Sequence, residues 1–203
     1  MTHVNDTLST QLLQTAQSFK TLFESEPFML ELKILPLKER LRTRAIFGFT
    51  AIDALVSLMW KLEIVPEWEN ISTLIEAALH QKTNLDSFFE HLDVKHNKAQ
   101  TIASLRFIQN TYDIESFAPT FVDLGLLFAL NANQKSLRTE VASSLFELQK
   151  LRNASLHTAK TLEIEDLQRA QDLIQDFFEK TKSLHPFFKD VGFSTNVFIK
   201  KAA

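Results

Sequence analysis

Apolar residues recur every three or four positions along most of the chain, which is the period of an α-helix. Asp6 precedes the first such stretch and predicts an N-terminal cap, so a first helix is expected to end at about Ser25. The longest apolar stretch predicts a helix from about Leu37 to Glu63 that ends before Pro66. The apolar face of the first helix comprises Leu8, Leu12, Leu13, Ala16, Phe19 and Phe23.

The same period predicts further helices along the rest of the chain. Pro119 is expected in the first turn of a helix that ends near Asn131, and Ser136 is expected to cap the helix that follows. No stretch predicts a strand, so the predicted fold is an all-α bundle that forms a single domain over residues 1–203. The remaining predicted helices cover about 67–81, 84–91 and 163–184, and a further apolar period begins after Asn97.

Composition supports this class and excludes others. The 203 residues include 3 Gly, 5 Pro and no Cys, so tight hairpins are scarce and disulfides, Cys-ligated zinc and thiol catalysis are excluded. The net charge of −3 argues against broad coating of nucleic acid. The N-terminus has no signal-peptide pattern, and the apolar stretch 45–60 is short and contains Asp53. A soluble, cytoplasmic protein with no membrane partner is predicted.

One polar stretch carries residues suited to chemistry, namely Arg152, Asn153, Ser155 and His157. In an unbroken helix, residues five apart lie about 140° apart around the axis. Arg152 and His157 therefore face one target only if the helix ends or bends between them. Asn153 and Ser155 compete for backbone hydrogen bonds, so we expect a break at this position.

These residue types fit cleavage of a phosphodiester without a metal or cofactor. Histidine titrates near neutrality and can take or give a proton, while a planar arginine can hold phosphate oxygens. Asn153 and Ser155 are expected to position the substrate. One histidine is short of an acid–base pair, and a two-fold dimer with facing motifs would supply the second.

Arg152-Asn153 followed by three residues and His157 resembles the motif of the HEPN superfamily, in which arginine, a polar residue and histidine stand at a helix junction. The resemblance implies a HEPN-like core over 37–184, an accessory N-terminal helix over 1–26 and a C-terminal tail over 186–203. It also implies a homodimeric, metal-independent endoribonuclease of toxin or antiphage-defence type. Arg152 and His157 would then be catalytic.

The resemblance extends to the long early helix and has one departure. Many HEPN proteins carry an acidic residue there near the motif, and Asp53 has a comparable place, so it is expected to pair with Arg152 or to orient His157. Thr50, Asp53 and Ser57 share one helix face, which is equally consistent with a thin solvated stripe. Some toxin members carry a tyrosine two residues after the histidine, where this chain has Ala159.

Two alternatives stay open at this point. Arg152 and Asn153 also suit an ordinary helix C-terminus, and other HEPN members are non-catalytic, so a helical interaction module of a defence or transcription-control complex is the rival function. RNA, an antitoxin or a defence-complex protein are the partners that these functions imply. A basic run, comprising Lys33, Lys38, Arg40, Arg42 and Arg44, suits either an RNA backbone or a solvated helix start.

Overall fold

A computed structural model describes residues 2–25, 34–80, 98–131, 137–157 and 162–184. Within these ranges the regular structure is helical throughout, so the all-α class is confirmed for the described part of the chain. The helices are α1 (Thr2–Glu24), α2 (Leu37–Met59), α3 (Trp68–His80), α4 (Lys98–Gln109), α5 (Phe121–Leu130), α6 (Leu137–His157) and α7 (Ile164–Leu184). One hydrophobic cluster of buried residues runs through all seven.

Helix α2 is the central element, because α1, α5, α6 and α7 all pack against it. Its apolar run continues past Met59 into a π-helical turn, Trp60–Ile64, in which the Val65 N–H donates to the Trp60 carbonyl at 3.0 Å. The helix therefore ends just before Pro66, as the sequence predicts. The Trp60 ring is fully buried, and its Nε1 donates to the Ile114 carbonyl at 3.1 Å.

Close packing joins α1, α2 and α7 at Gly48. A Cβ at this position would lie 2.7 Å from two atoms of Ile174 and 3.0 Å from the Phe23 ring. Only a residue without a side chain allows these helices to approach so closely. The expected cap at Asp6 is wrong: α1 begins at Thr2, because residues 2–5 contain neither Gly nor Pro and the helix continues through them.

The start of α5 differs from the prediction by two residues. Pro119 lies before the helix, and Thr120 is its N-cap. Thr120 Oγ1 accepts from the Asp123 N–H at 3.2 Å, while Asp123 Oδ2 accepts from the Thr120 N–H at 2.9 Å. This reciprocal capping box satisfies two backbone donors that the helix leaves unpaired, and proline at the first helical position would not.

Several predictions fall on residues outside the described ranges. These are the helix over 84–91, the Ser136 cap, the tail over 186–203 and the position of Ala159. The accessory helix over 1–26 is described through α1, which lies in the same core as the other helices, since Ala16 and Phe23 are buried.

The sequence analysis treats the apolar stretch 45–60 as too short to span a membrane, but it lies within a longer continuous helix, Leu37–Ile64. It is long and apolar enough to cross a membrane by length and composition, with a mean hydropathy of 1.5 in its most apolar window. The core helix of a soluble protein has the same properties, and 61% of that window is buried inside the bundle. The fold is therefore consistent with a soluble protein.

Candidate active site

Helix α6 carries the whole motif without interruption. It runs from Leu137 to His157, so the break expected between Arg152 and His157 is wrong. The hydroxyl of Ser155 donates to the Leu151 carbonyl of its own helix at 2.8 Å, and Gln149 Nε2 donates to Asn153 Oδ1 at 2.8 Å. Both weak helix formers thus have partners within the helix, which removes their reason to break it.

Arg152 reaches across to α2 and meets Asp53. Asp53 Oδ2 accepts from Nη2 of Arg152 at 3.0 Å and from its Nε at 3.3 Å. The two residues are 99 positions apart in the sequence. Their side chains retain 26% and 43% of their exposure, so the ion pair lies at the surface end of the α2–α6 contact. This ion pair is one of the two contacts expected for Asp53, the other being one that orients His157.

The guanidinium of Arg152 packs over an aromatic ring. Its central carbon lies 5.6 Å from the centre of the Phe121 ring, within range of a cation–π interaction. Phe121 is buried and is the first residue of α5, directly after the Thr120 cap. The capping box that starts α5 therefore also fixes the ring under Arg152.

Asp53 is held between two opposing influences. Partial burial raises its pKa, and the charge and hydrogen bonds of Arg152 act in the opposite direction without cancelling that effect. The two other polar residues on this face of α2 bond within the helix, since Thr50 donates to the Ile46 carbonyl and Ser57 to the Asp53 carbonyl. Asp53 is thus the group on this face whose side chain contacts α6.

Arg152 keeps hydrogen-bonding capacity beyond this pair. A guanidinium has five N–H donors, and the contact with Asp53 uses one on Nε and one on Nη2. Among the described residues, the two donors on Nη1 and the second on Nη2 have no hydrogen-bond partner. Those three lie at the end of the side chain, in the fork that binds phosphate or carboxylate in a bidentate manner.

Arg42, which the sequence analysis left in the basic run, also contacts the motif. Its Nη2 donates to the Ser155 carbonyl at 3.0 Å. That carbonyl belongs to the last turn of α6, where carbonyls have no partner within the helix. No local pattern predicts a contact between residues 113 positions apart. The place of Arg42 in the basic run is the one sequence feature that drew attention to this residue.

The structure thus brings some of the predicted site residues together and separates others. Arg152 and Asp53 are in contact, Asn153 is exposed one residue further on, and Ser155 is buried with its hydroxyl on its own helix. His157 is the last residue of α6, about 140° around the axis from Arg152. The positions of Arg152 and His157 therefore lie on different faces of α6.

Comparisons with models of protein families, with curated proteins and with solved structures find no match for this chain. The HEPN resemblance accordingly depends on the motif itself. Among the described residues, no three or more of His, Cys, Asp and Glu lie together in a group that could hold a metal ion.

Proposed function

We propose that the protein is a HEPN-like, metal-independent endoribonuclease of toxin or antiphage-defence type, which acts as a homodimer in the cytoplasm. The observation that supports this most is the Arg152–Asp53 pair. Asp53 holds one edge of the guanidinium, while the terminal fork remains available at a partly exposed position. That arrangement suits a residue that binds a phosphate from solvent.

The proposed reaction needs one proton removed and one delivered. The 2′-hydroxyl of the RNA loses its proton to a histidine and attacks the adjacent phosphorus. The bond from phosphorus to the 5′-oxygen breaks, and that oxygen takes the proton from the same histidine, which is by then in its acid form. The products are a 2′,3′-cyclic phosphate and a 5′-hydroxyl. Arg152 stabilises the charge that develops on the non-bridging oxygens, and Asn153 positions the phosphate.

The unbroken helix explains why two copies are needed. Because the positions of Arg152 and His157 lie about 140° apart around α6, the proposed site takes the histidine that acts on a phosphate held by Arg152 from a second copy. A two-fold arrangement then forms two equivalent sites, each with an arginine from one protomer and a histidine from the other. Such an interface is self-complementary, as closed dimers require.

Cleavage of a labelled single-stranded RNA in the presence of EDTA tests this function. We expect wild-type protein to release cyclic-phosphate ends, and Arg152→Ala and His157→Ala to lose at least about 100-fold in kcat. Matched controls are Arg106→Ala and His80→Ala, which remove the same residue types from exposed positions on α4 and α3. Wild-type rates in the Arg152 and His157 variants would refute the assignment.

The second candidate is a non-catalytic interaction module of a defence or transcription-control complex. Two observations favour it: α6 has no break, and two large hydrophobic side chains, Phe107 in α4 and Tyr112 shortly after it, are exposed. Expression in a bacterial host separates the two functions. A free ribonuclease arrests growth, and Arg152→Ala relieves the arrest, whereas an interaction module leaves growth unchanged.

A further inference from the structure

The arginines in the basic run at the start of α2 have different surroundings. Arg44 donates from Nε to the Phe23 carbonyl at 2.7 Å and from Nη1 to Gln171 at 3.2 Å, so it joins α1 and α7 to α2. Arg42 is exposed and, within the described ranges, makes one hydrogen bond, to the Ser155 carbonyl. Arg44 therefore cross-links three helices. Arg42 has most of its N–H donors unused by the described residues.

Arg42 also has no acidic partner in the part of the chain that the structure describes. Among the described residues no carboxylate lies within 4.0 Å of its guanidinium, although Glu39 is one turn earlier on the same helix. Four of its five N–H donors have no partner in the described part of the chain. In a protein with a net charge of −3, this is a local positive charge without a counter-ion among the described residues.

The single hydrogen bond fixes where that charge lies. A free arginine side chain samples many rotamers, and the contact with the Ser155 carbonyl restricts Arg42 to the last turn of α6. Ser155 is three residues from Arg152, or about one helical turn. Arg42 and Asp53 are eleven residues apart on α2, which is about three full turns, so both point toward α6 from one face.

We propose that Arg42 forms a second phosphate subsite, which binds the RNA backbone next to the phosphate held by Arg152. This inference depends on the proposed function for the identity of its ligand, a single-stranded RNA. It assigns Arg42 to substrate binding and not to the chemical step. Lys38, one turn earlier on the same face, is already near Glu163 at 3.8 Å and is not included.

Salt dependence of binding provides the test, because each phosphate contact with a single strand contributes about 0.7 to the slope of log Kd against log salt. A fluorescent 2′-O-methyl oligoribonucleotide, which cannot be cleaved, is titrated with full-length protein at KCl concentrations from about 50 to about 200 mM. We expect Arg42→Ala to lower the slope by about 0.7. Arg42→Lys should retain it, and Arg106→Ala should match wild type.

The kinetic outcome separates this inference from the proposed function. If wild-type protein cleaves RNA, Arg42→Ala should raise KM by about 3- to 10-fold with kcat unchanged, since it removes uniform binding. An unchanged salt slope, or a loss of kcat at constant KM, would overturn the subsite. If wild-type protein binds the oligonucleotide without cleaving RNA, the proposed function fails, and the slope of Arg42→Ala still decides the subsite.

Discussion

Two arginines that each lie over a phenylalanine ring have different polar partners in this molecule. Arg44 lies over the Phe23 ring at 4.8 Å, and Arg152 lies over the Phe121 ring at 5.6 Å. The donors of Arg44 go to a backbone carbonyl and an amide oxygen inside the fold, and burial lowers its pKa. Arg152 instead pairs with a half-exposed carboxylate and is itself partly exposed.

Under the proposed function, the difference is between an arginine used for stability and one used for binding. Where the surroundings satisfy the guanidinium from several sides, it is a structural cross-link between α1, α2 and α7. Where a single carboxylate orients it from one side, the remaining donors can accept a ligand. Four variants separate these two uses.

The largest effect is expected for Arg152→Ala on catalysis. Loss of the phosphate-binding donors should lower kcat by at least about 100-fold, which corresponds to about 3 kcal/mol in the barrier. The melting temperature should change little, because surface ion pairs contribute about 0–1 kcal/mol. Parallel measurements of RNA cleavage and thermal unfolding check both statements. A large fall in the melting temperature would instead make Arg152 a structural residue like Arg44.

Arg44→Ala should show the reverse pattern. The Phe23 carbonyl and the Gln171 oxygen lose their donor, and the Phe23 ring loses its cover, so the free energy of unfolding should fall by about 2–3 kcal/mol. The remaining folded fraction should cleave RNA at the wild-type kcat. Urea denaturation measures the loss, with Arg106→Ala as the exposed control, which should stay within about 0.5 kcal/mol of wild type.

Gly48→Ala tests how closely α2 packs against α1 and α7. The new methyl group would lie 2.7 Å from Ile174, so we expect a loss of about 1–2 kcal/mol in the free energy of unfolding. Gly125→Ala is the matched control, since its Cβ would meet its neighbours at 3.4 Å or more, and alanine favours the helix. Equal stability of the two variants would contradict the close approach of α2 and α7.

The smallest effect concerns the pH dependence of Asp53. Because burial raises its pKa above the ordinary value of 3.8, its contribution to stability is complete below about that pH and is lost as the pH rises through the folded value. The Asp53→Asn variant cannot ionise at this position and therefore does not lose this stability. The free energy of unfolding of the variant relative to wild type should increase between about pH 4 and about pH 7. Urea denaturation across the range measures the difference. A difference that decreases with pH would show that Arg152 outweighs burial.

Much of the fold follows from local patterns. The three-to-four period in residues 37–64 predicts α2 together with its π-helical turn to within a residue, since the apolar positions and Pro66 act over short distances. The start of α5 could also have been found, because Thr120 and Asp123 have the spacing of a capping box. Asp53 was identified by its place on a polar face of α2 together with the HEPN resemblance.

The errors arise where tertiary or side-chain contacts override propensity. Asn153 and Ser155 predict a break from their preferences, but bonds to Gln149 and to the Leu151 carbonyl keep them in α6. The contact of Arg42 with Ser155 spans 113 positions and leaves no local signal. Arg42 and Arg44 have different partners because different helices pack against α2 at the two positions. A single sequence does not specify which helices those are.

A purified hybrid dimer tests most directly whether two copies build each site. Arg152→Ala and His157→Ala chains with different tags are co-expressed, and the hybrid is isolated through both tags. One of its two sites then contains an intact arginine and an intact histidine, each from a different protomer. We predict that the hybrid cleaves RNA at about half the wild-type rate, although each variant alone is inactive. A hybrid as inactive as both parents, beside an active wild type, would contradict the shared site.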